Sequence, residues 1–152
     1  MKKPNECYAY FCVSGSFDPD VITERVGMKP TKSSREGELL PRSELKRKTS
    51  RWDLHSRLER TSGLEEHIRD VLDQLDSNGA AFERLSNELG GVLELVGYFH
   101  SYYPGLVFDR EIVQRLARYS LSVDFDFYEF TDGETRQVHL GGAGSKPAPS
   151  ET

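Results

Sequence analysis

Two stretches of the chain alternate polar and apolar residues so that acid–base groups collect on one side. In Arg51-Trp-Asp-Leu-His-Ser-Arg-Leu58, Trp52, Leu54 and Leu58 fall on one side and Asp53, His55 and Arg57 on the other. In Ser122-Val-Asp-Phe-Asp-Phe-Tyr-Glu-Phe130, Asp124 and Asp126 alternate with aromatic residues. A period of two is that of a half-buried strand. If the two strands lie side by side, Asp53, His55, Asp124 and Asp126 converge, and carboxylates with an imidazole can bind a divalent metal or act as a general base in hydrolysis. The plainer reading is a strand face that meets water.

A second candidate starts at His100, which closes an apolar run and precedes Ser101-Tyr102-Tyr103-Pro104-Gly105. Together with Asp124 and Asp126, His100, Tyr102 and Tyr103 would rim a small-ligand pocket where strands end. A third is the basic run Glu44-Leu-Lys-Arg-Lys-Thr-Ser-Arg51-Trp52. Lys46, Arg47, Lys48 and Arg51 can contact phosphates, with Trp52 as a stacking surface. Alternation with Leu54 assigns Trp52 to the core instead, and charge runs in loops are ordinarily just solvated, so nucleic acid is not an expected partner.

Other chemistry lacks its pattern. Cys7 and Cys12, the only cysteines, have neither metal-pair spacing nor easy disulfide geometry, and both are expected reduced, with Cys12 buried. His67 and His139 read as surface residues. Ser14-Gly15-Ser16 and Gly141-Gly-Ala-Gly144 lack the strand-to-helix pattern of a nucleotide cradle, and no serine or cysteine sits in a nucleophile elbow. No resident metal or cofactor is expected.

The elements that must position these groups fit one domain of 152 residues. Residues 29–60 hold ten Lys or Arg against five Asp or Glu, so within a chain of net charge -5 they carry +5 and the remainder -10. That balance argues against a duplex-coating protein. No apolar run approaches the roughly 18 residues of a membrane span, and no apolar segment with a cleavage site follows the charged N-terminus, so a cytoplasmic address without membrane association is expected.

Cys7–Gly15 predicts a central strand, apolar on both faces. Asp18 as cap, Pro19 at the first helical position and Gly27 as stop predict a short helix with Val21, Ile22 and Val26 inward. Residues 29–50 read as a long basic loop. Ser62 is expected to cap a helix with Ile68, Leu72 and Leu75 in the core, broken at Asn78-Gly79 before a second piece over Ala80–Leu89. Val92–His100 is a third strand, a helix from about Asp109 to Tyr119 follows, and Ser122–Phe130 is the fourth strand. At an offset of 91 positions, Phe17-Asp18 and Asp20-Val21-Ile22 match Phe108-Asp109 and Glu111-Ile112-Val113. This suggests two β-α-β halves, although capped amphipathic helices also repeat such patterns by chance.

Tyr10-Phe-Cys-Val-Ser-Gly-Ser-Phe-Asp-Pro-Asp-Val-Ile-Thr23, Gly27-Met-Lys-Pro-Thr31, Trp52, Leu64-Glu-Glu-His67, Tyr103-Pro-Gly105 and Ser122-Val-Asp-Phe-Asp-Phe-Tyr128 together resemble a bacterial family, domain of unknown function 4279, over about residues 7 to 130. The resemblance implies no catalytic residue. It implies a small cytosolic single-domain protein, and by analogy points to immunity proteins of contact-dependent toxin systems, which act by binding. An acidic surface would suit a basic partner such as a nuclease toxin.

The expected fold is α+β: an N-terminal arm over 1–6, one domain over 7–140 and a disordered tail over 141–152. The domain holds about four strands in one mixed sheet, helices mainly on one face, in the order β-α-β-α-α-β-α-β, related to the ferredoxin-like arrangement except for the helical arm between strands two and three. The expected function is a non-enzymatic protein-binding domain, immunity-type or regulatory. The alternative is a small-ligand-binding or metal-dependent hydrolytic domain using the strand-end pocket. Oligomeric state is open.

Overall fold

The computed structural model describes residues 3–100, 102–131 and 134–138. The chain runs β1 (Glu6–Gly15), α1 (Pro19–Val26), β2 (Lys32–Ser34), β3 (Ser50–His55), α2 (Leu64–Asp76), α3 (Gly79–Leu89), β4 (Val92–Phe99), α4 (Arg110–Arg118), β5 (Ser122–Thr131) and β6 (Glu134–Val138). The class is α+β, with one mixed sheet in the order β2-β3-β1-β4-β5-β6. Only β4 and β5 pair in parallel; the other neighbours are antiparallel.

Six strands among the described residues replace the expected four. Lys32-Ser-Ser34 and Glu134-Thr-Arg-Gln-Val138 form the two edges, and short polar edge strands carry little hydrophobic signal. The order also departs from the ferredoxin-like expectation. The α2–α3 arm carries the chain from β3 to β4 with β1 between them, whereas α4 joins β4 directly to its parallel neighbour β5. A ferredoxin-like plan has two split crossovers of the first kind; this fold has one.

The two matched helix starts are locally alike. Asp18 Oδ1 accepts from the Asp20 amide at 2.9 Å and Asp109 Oδ1 from the Ile112 amide at 2.9 Å. Their connections are not alike: α1 leads through β2 to a strand antiparallel to β1, and α4 leads to a parallel one. The halves are therefore not two copies of one β-α-β unit. At the far end of α1, Gly27 has φ of 67°, the left-handed region where glycine pays no steric penalty, and its amide donates to Thr23 O.

All four helices contribute to the main core on one sheet face. Ala9, Phe11, Val13, Trp52, Leu54, Leu93, Leu95, Phe99 and Phe127 meet Ile22, Val26, Ile68, Val71, Leu72, Leu75, Phe82, Leu85, Ile112 and Leu116. Trp52 is 0% exposed. Its ring contacts Phe11 at 6.2 Å and Phe82 at 6.1 Å, and its Nε1–H donates to Thr23 Oγ1 at 3.1 Å. The indole is thus a core group and offers no stacking surface to a nucleic acid. Leu58 lies beyond the end of β3 and is 39% exposed, contrary to its expected inward position. Val21 is likewise exposed on α1.

Three further local expectations are corrected. Gly63 rather than Ser62 is the cap of α2, and Glu66 accepts from the Gly63 amide at 3.1 Å. The segment 29–50 is not one long loop: beside β2, Leu39 bridges Lys46, the Arg47 amide donates to Glu38 O at 2.7 Å, and the Gly37 amide donates to Arg47 O at 2.9 Å, making a two-stranded arm. His67 is not a surface residue; it is 0% exposed. Leu64, His67, Ile68 and Val71 form the i, i+3, i+4, i+7 stripe that α2 turns inward. His139 and the expected tail lie outside the described residues.

His67 gives the fold a pH dependence. Ser56 Oγ lies 2.6 Å from Nδ1, Nε2 has no hydrogen-bond partner, and burial holds the imidazole below its ordinary pKa of 6.5. Burial lowers His55 in the same way. The unfolded chain then binds protons that the native chain does not. This contribution to stability is present above about pH 6.5 and is lost as pH falls through the lowered native values. The urea midpoint is expected to drop between pH 7 and 5, above the range where carboxylates titrate, and His67→Gln should flatten that slope. A midpoint constant over the interval in the parent protein would contradict this.

Candidate functional site

Alternation sends the other side chains of the central strands to the face that the helices leave alone. A second cluster sits there, made entirely of strand residues: Val96, Tyr98 and Tyr128, with Tyr8, Tyr10 and Phe130 packed against it. Strand register lines up His55, Tyr10, Glu94 and Asp124 as one rung across β3, β1, β4 and β5. Tyr8, Val96 and Asp126 form the next. Asp53 lies opposite Cys12 on the same face.

The rings form two stacks. Tyr10 and His55 have centroids 4.5 Å apart at 9°, and Tyr8 lies 5.6 Å from His55 and 6.1 Å from Tyr10. Tyr98 stacks on Tyr128 at 5.5 Å, and His100 on Phe130 at 4.6 Å. Tyr8, Tyr10, His55 and Phe130 are half-buried, so each keeps part of its surface in contact with solvent. Two guanidiniums already use the face: Arg60 sits 4.9 Å from the Tyr8 centroid and Arg51 5.7 Å from that of Tyr10, distances at which a cation is drawn to the ring quadrupole.

Charge on the face is organised around Arg51, Arg60 and the carboxylates of Glu6, Asp53, Glu94, Asp124 and Asp126. Arg51 Nε donates to both Asp53 oxygens at 3.0 and 3.1 Å, and its terminal nitrogen donates to the Tyr10 hydroxyl at 3.1 Å. Tyr128 donates to Asp126 Oδ1 at 2.9 Å. Burial pushes the Tyr10 and Tyr128 hydroxyls up, so both stay neutral at physiological pH, Tyr10 accepting from Arg51 and Tyr128 donating to Asp126. Burial also raises both thiols, Cys7 to about 11. The cysteines lie on opposite sheet faces because their spacing is odd, and neither is a ready nucleophile.

Asp53 and His55 do share a face with Asp124 and Asp126, but they do not converge. Strands β1 and β4 lie between β3 and β5, a separation of about 14 Å at the ordinary strand spacing. Among the described residues no group of three His, Cys, Asp or Glu side chains is placed to hold a metal ion.

The expected strand-end pocket is divided too. A cavity of about 160 Å3 lies on the helix side, lined by Tyr102, Phe99, Phe127, Cys7 and the start of α2. Tyr102 is 69% exposed at its rim. Tyr103 packs on Phe99 at 4.9 Å. His100 instead stacks on Phe130 and donates its backbone amide to Asn5 Oδ1 at 2.8 Å, while Asp124 and Asp126 belong to the opposite face.

Residues 5–130 match the family model described as Domain of unknown function (DUF4279). The chain belongs to that family. No curated protein and no solved structure matches the DUF4279 chain. No helix among its described residues is long and apolar enough to cross a membrane.

Sequence reading missed the DUF4279 residues that build the face: Tyr8, Tyr10, Glu94, Tyr98 and Tyr128. Their signal was the alternation of Tyr8 and Tyr10 with Ala9 and Phe11, and the single acid inside Val92–Val96.

Proposed function

We propose that this chain is a non-enzymatic protein-binding domain, immunity-type or regulatory, that holds a cationic segment of its partner on the helix-free face of the sheet. The observation that carries the reading is the Tyr8–Tyr10–His55 stack, whose Tyr10 and His55 share a rung with Glu94 and Asp124. Aromatic faces beside carboxylates suit arginine and lysine side chains, which gain ring contact and charge attraction together. Arg51 and Arg60 make this contact within the chain. The surplus of acidic residues outside 29–60 adds long-range attraction for a basic partner such as a toxin.

The hydrolytic alternative is less well supported, because its carboxylates and imidazole are split by two strands. The small-ligand alternative has only the small cavity beside Tyr102.

Calorimetric titration with a short arginine-rich peptide at about 0.15 M salt, where weak surface pairing is largely screened, tests the proposal. Saturable binding is expected, weakened about tenfold in Tyr10→Ser and in Tyr8→Ala, as for truncation of an aromatic anchor. Equal binding of a glutamate-rich peptide, or unchanged affinity in both variants, would contradict it.

A further inference from the structure

The arm that replaces the expected loop, together with β2 and β3, encloses a concavity of about 360 Å3. The cations Lys46, Arg47, Lys48 and Arg51 line it with the hydroxyl residues Ser34 and Thr49, and no carboxylate does. Four arginines elsewhere, Arg35, Arg57, Arg69 and Arg115, each hold a carboxylate at 2.6 to 2.8 Å. Arg51 is held by Asp53. Lys46, Arg47 and Lys48 form no ion pair with any described residue. Arg47 Nε is shielded from solvent and has no hydrogen-bond partner.

Three neighbouring unpaired cations in one concavity repel one another, and a shielded guanidinium N–H lacking an acceptor is costly. An anion with several oxygens relieves both. The arm is also held in place before any ligand arrives. Arg35 bridges its base to Asp18 and Asp20 at 2.6 Å each, the Glu36 amide donates to Ser50 Oγ at 2.9 Å, and Ser16 donates to Glu36 at 2.7 Å.

We propose that this concavity binds a small phosphorylated ligand, its phosphoryl oxygens meeting Lys46, Arg47 and Lys48 and its organic part resting on Leu40 and Leu45, which also line it. A guanidinium fork and ammonium groups together match a multiply charged phosphoryl group better than a single carboxylate. The volume is that of a small-molecule site. A long polyanion is disfavoured by the charge of -10 on the rest of the chain. The site goes beyond the protein-binding reading and stands or falls without it, since it uses neither the tyrosine stack nor the carboxylate row.

Calorimetry at about 0.15 M salt with ADP as the probe, adenosine as the uncharged control and inorganic pyrophosphate as the bare anion tests it. One-site binding of ADP, absent for adenosine, is expected. Affinity should fall about tenfold or more in Arg47→Gln and in the Lys46→Gln/Lys48→Gln double variant. Lys46 and Lys48 are exposed and Arg47 belongs to neither hydrophobic cluster, so cooperative thermal melts close to the parent's are expected and report that the variants fold. No heat from either ADP or pyrophosphate, or equal affinity in the variants, would overturn the proposal. So would tighter binding of a single-stranded oligonucleotide than of ADP with a steep salt dependence, which would assign the patch to nucleic acid.

Discussion

Trp52→Ala is expected to remove about 3 to 5 kcal/mol of stability, the cost of a large cavity in a packed core. The indole is fully buried between Phe11 and Phe82, and its N–H reaches Thr23, so the change also leaves a hydroxyl without its donor. Domains of this size have total stabilities of roughly 5 to 15 kcal/mol, so the variant should melt about 10 °C or more below the parent. Urea unfolding followed by far-UV circular dichroism measures it. A loss under about 1 kcal/mol would mean that the three-ring contact does not organise the helix side of the sheet. Trp52→Phe keeps most of the volume and should recover more than half of the loss.

The second large effect lies on the other face. Asp53 is 6% exposed, and among the described residues Arg51 is the one cation that forms an ion pair with it. Removing one member of a buried pair leaves the other charge uncompensated, at a cost of about 3 to 5 kcal/mol when both are enclosed. Arg51 is 41% exposed on its side chain, so water can take over part of its role. For Arg51→Met the expected loss is about 2 kcal/mol, in the range for a buried polar group left unsatisfied. The Arg51→Met/Asp53→Asn double variant removes the stranded charge and should regain at least half of that loss. If the double variant is less stable than Arg51→Met alone, uncompensated charge is not the cause.

What the chain spells locally was readable in advance. Asp18, Pro19 and Gly27 bound α1 because a cap, a preset φ and a left-handed stop are each single-residue signals. Cys7–Gly15 was legible as a central strand for a similar reason: apolar residues on both faces need cover on both sides. Pairing between distant strands is not local, so the placement of β1 and β4 between β3 and β5 could not be read, and with it went the convergence of His55 with Asp124. Alternation correctly put Asp53, His55, Asp124 and Asp126 on one face of the sheet.

Other parts were masked by composition. Tyr8 and Tyr10 count as apolar in a run, which hid that one face of β1 carries hydroxyl-bearing rings suited to a partner. The charge density of residues 29–50 reads as a loop, although backbone hydrogen bonds from Gly37, Leu40 and Arg47 fold it into an arm. His67 was legible in principle, since it lies on the same stripe as Leu64, Ile68 and Val71; its polarity outweighed its position.

The central claim is that the helix-free sheet face is where a cationic partner binds. Amide and aromatic chemical-shift mapping of the full chain during titration with the arginine-rich peptide tests it most directly. Shifts are expected to concentrate at Tyr8, Tyr10, His55, Glu94 and Asp124, residues from four adjacent strands, and to disappear in Tyr10→Ser. Shifts confined to α2 and α4 or to the Lys46–Lys48 arm, or no saturable shift at all, would contradict the claim.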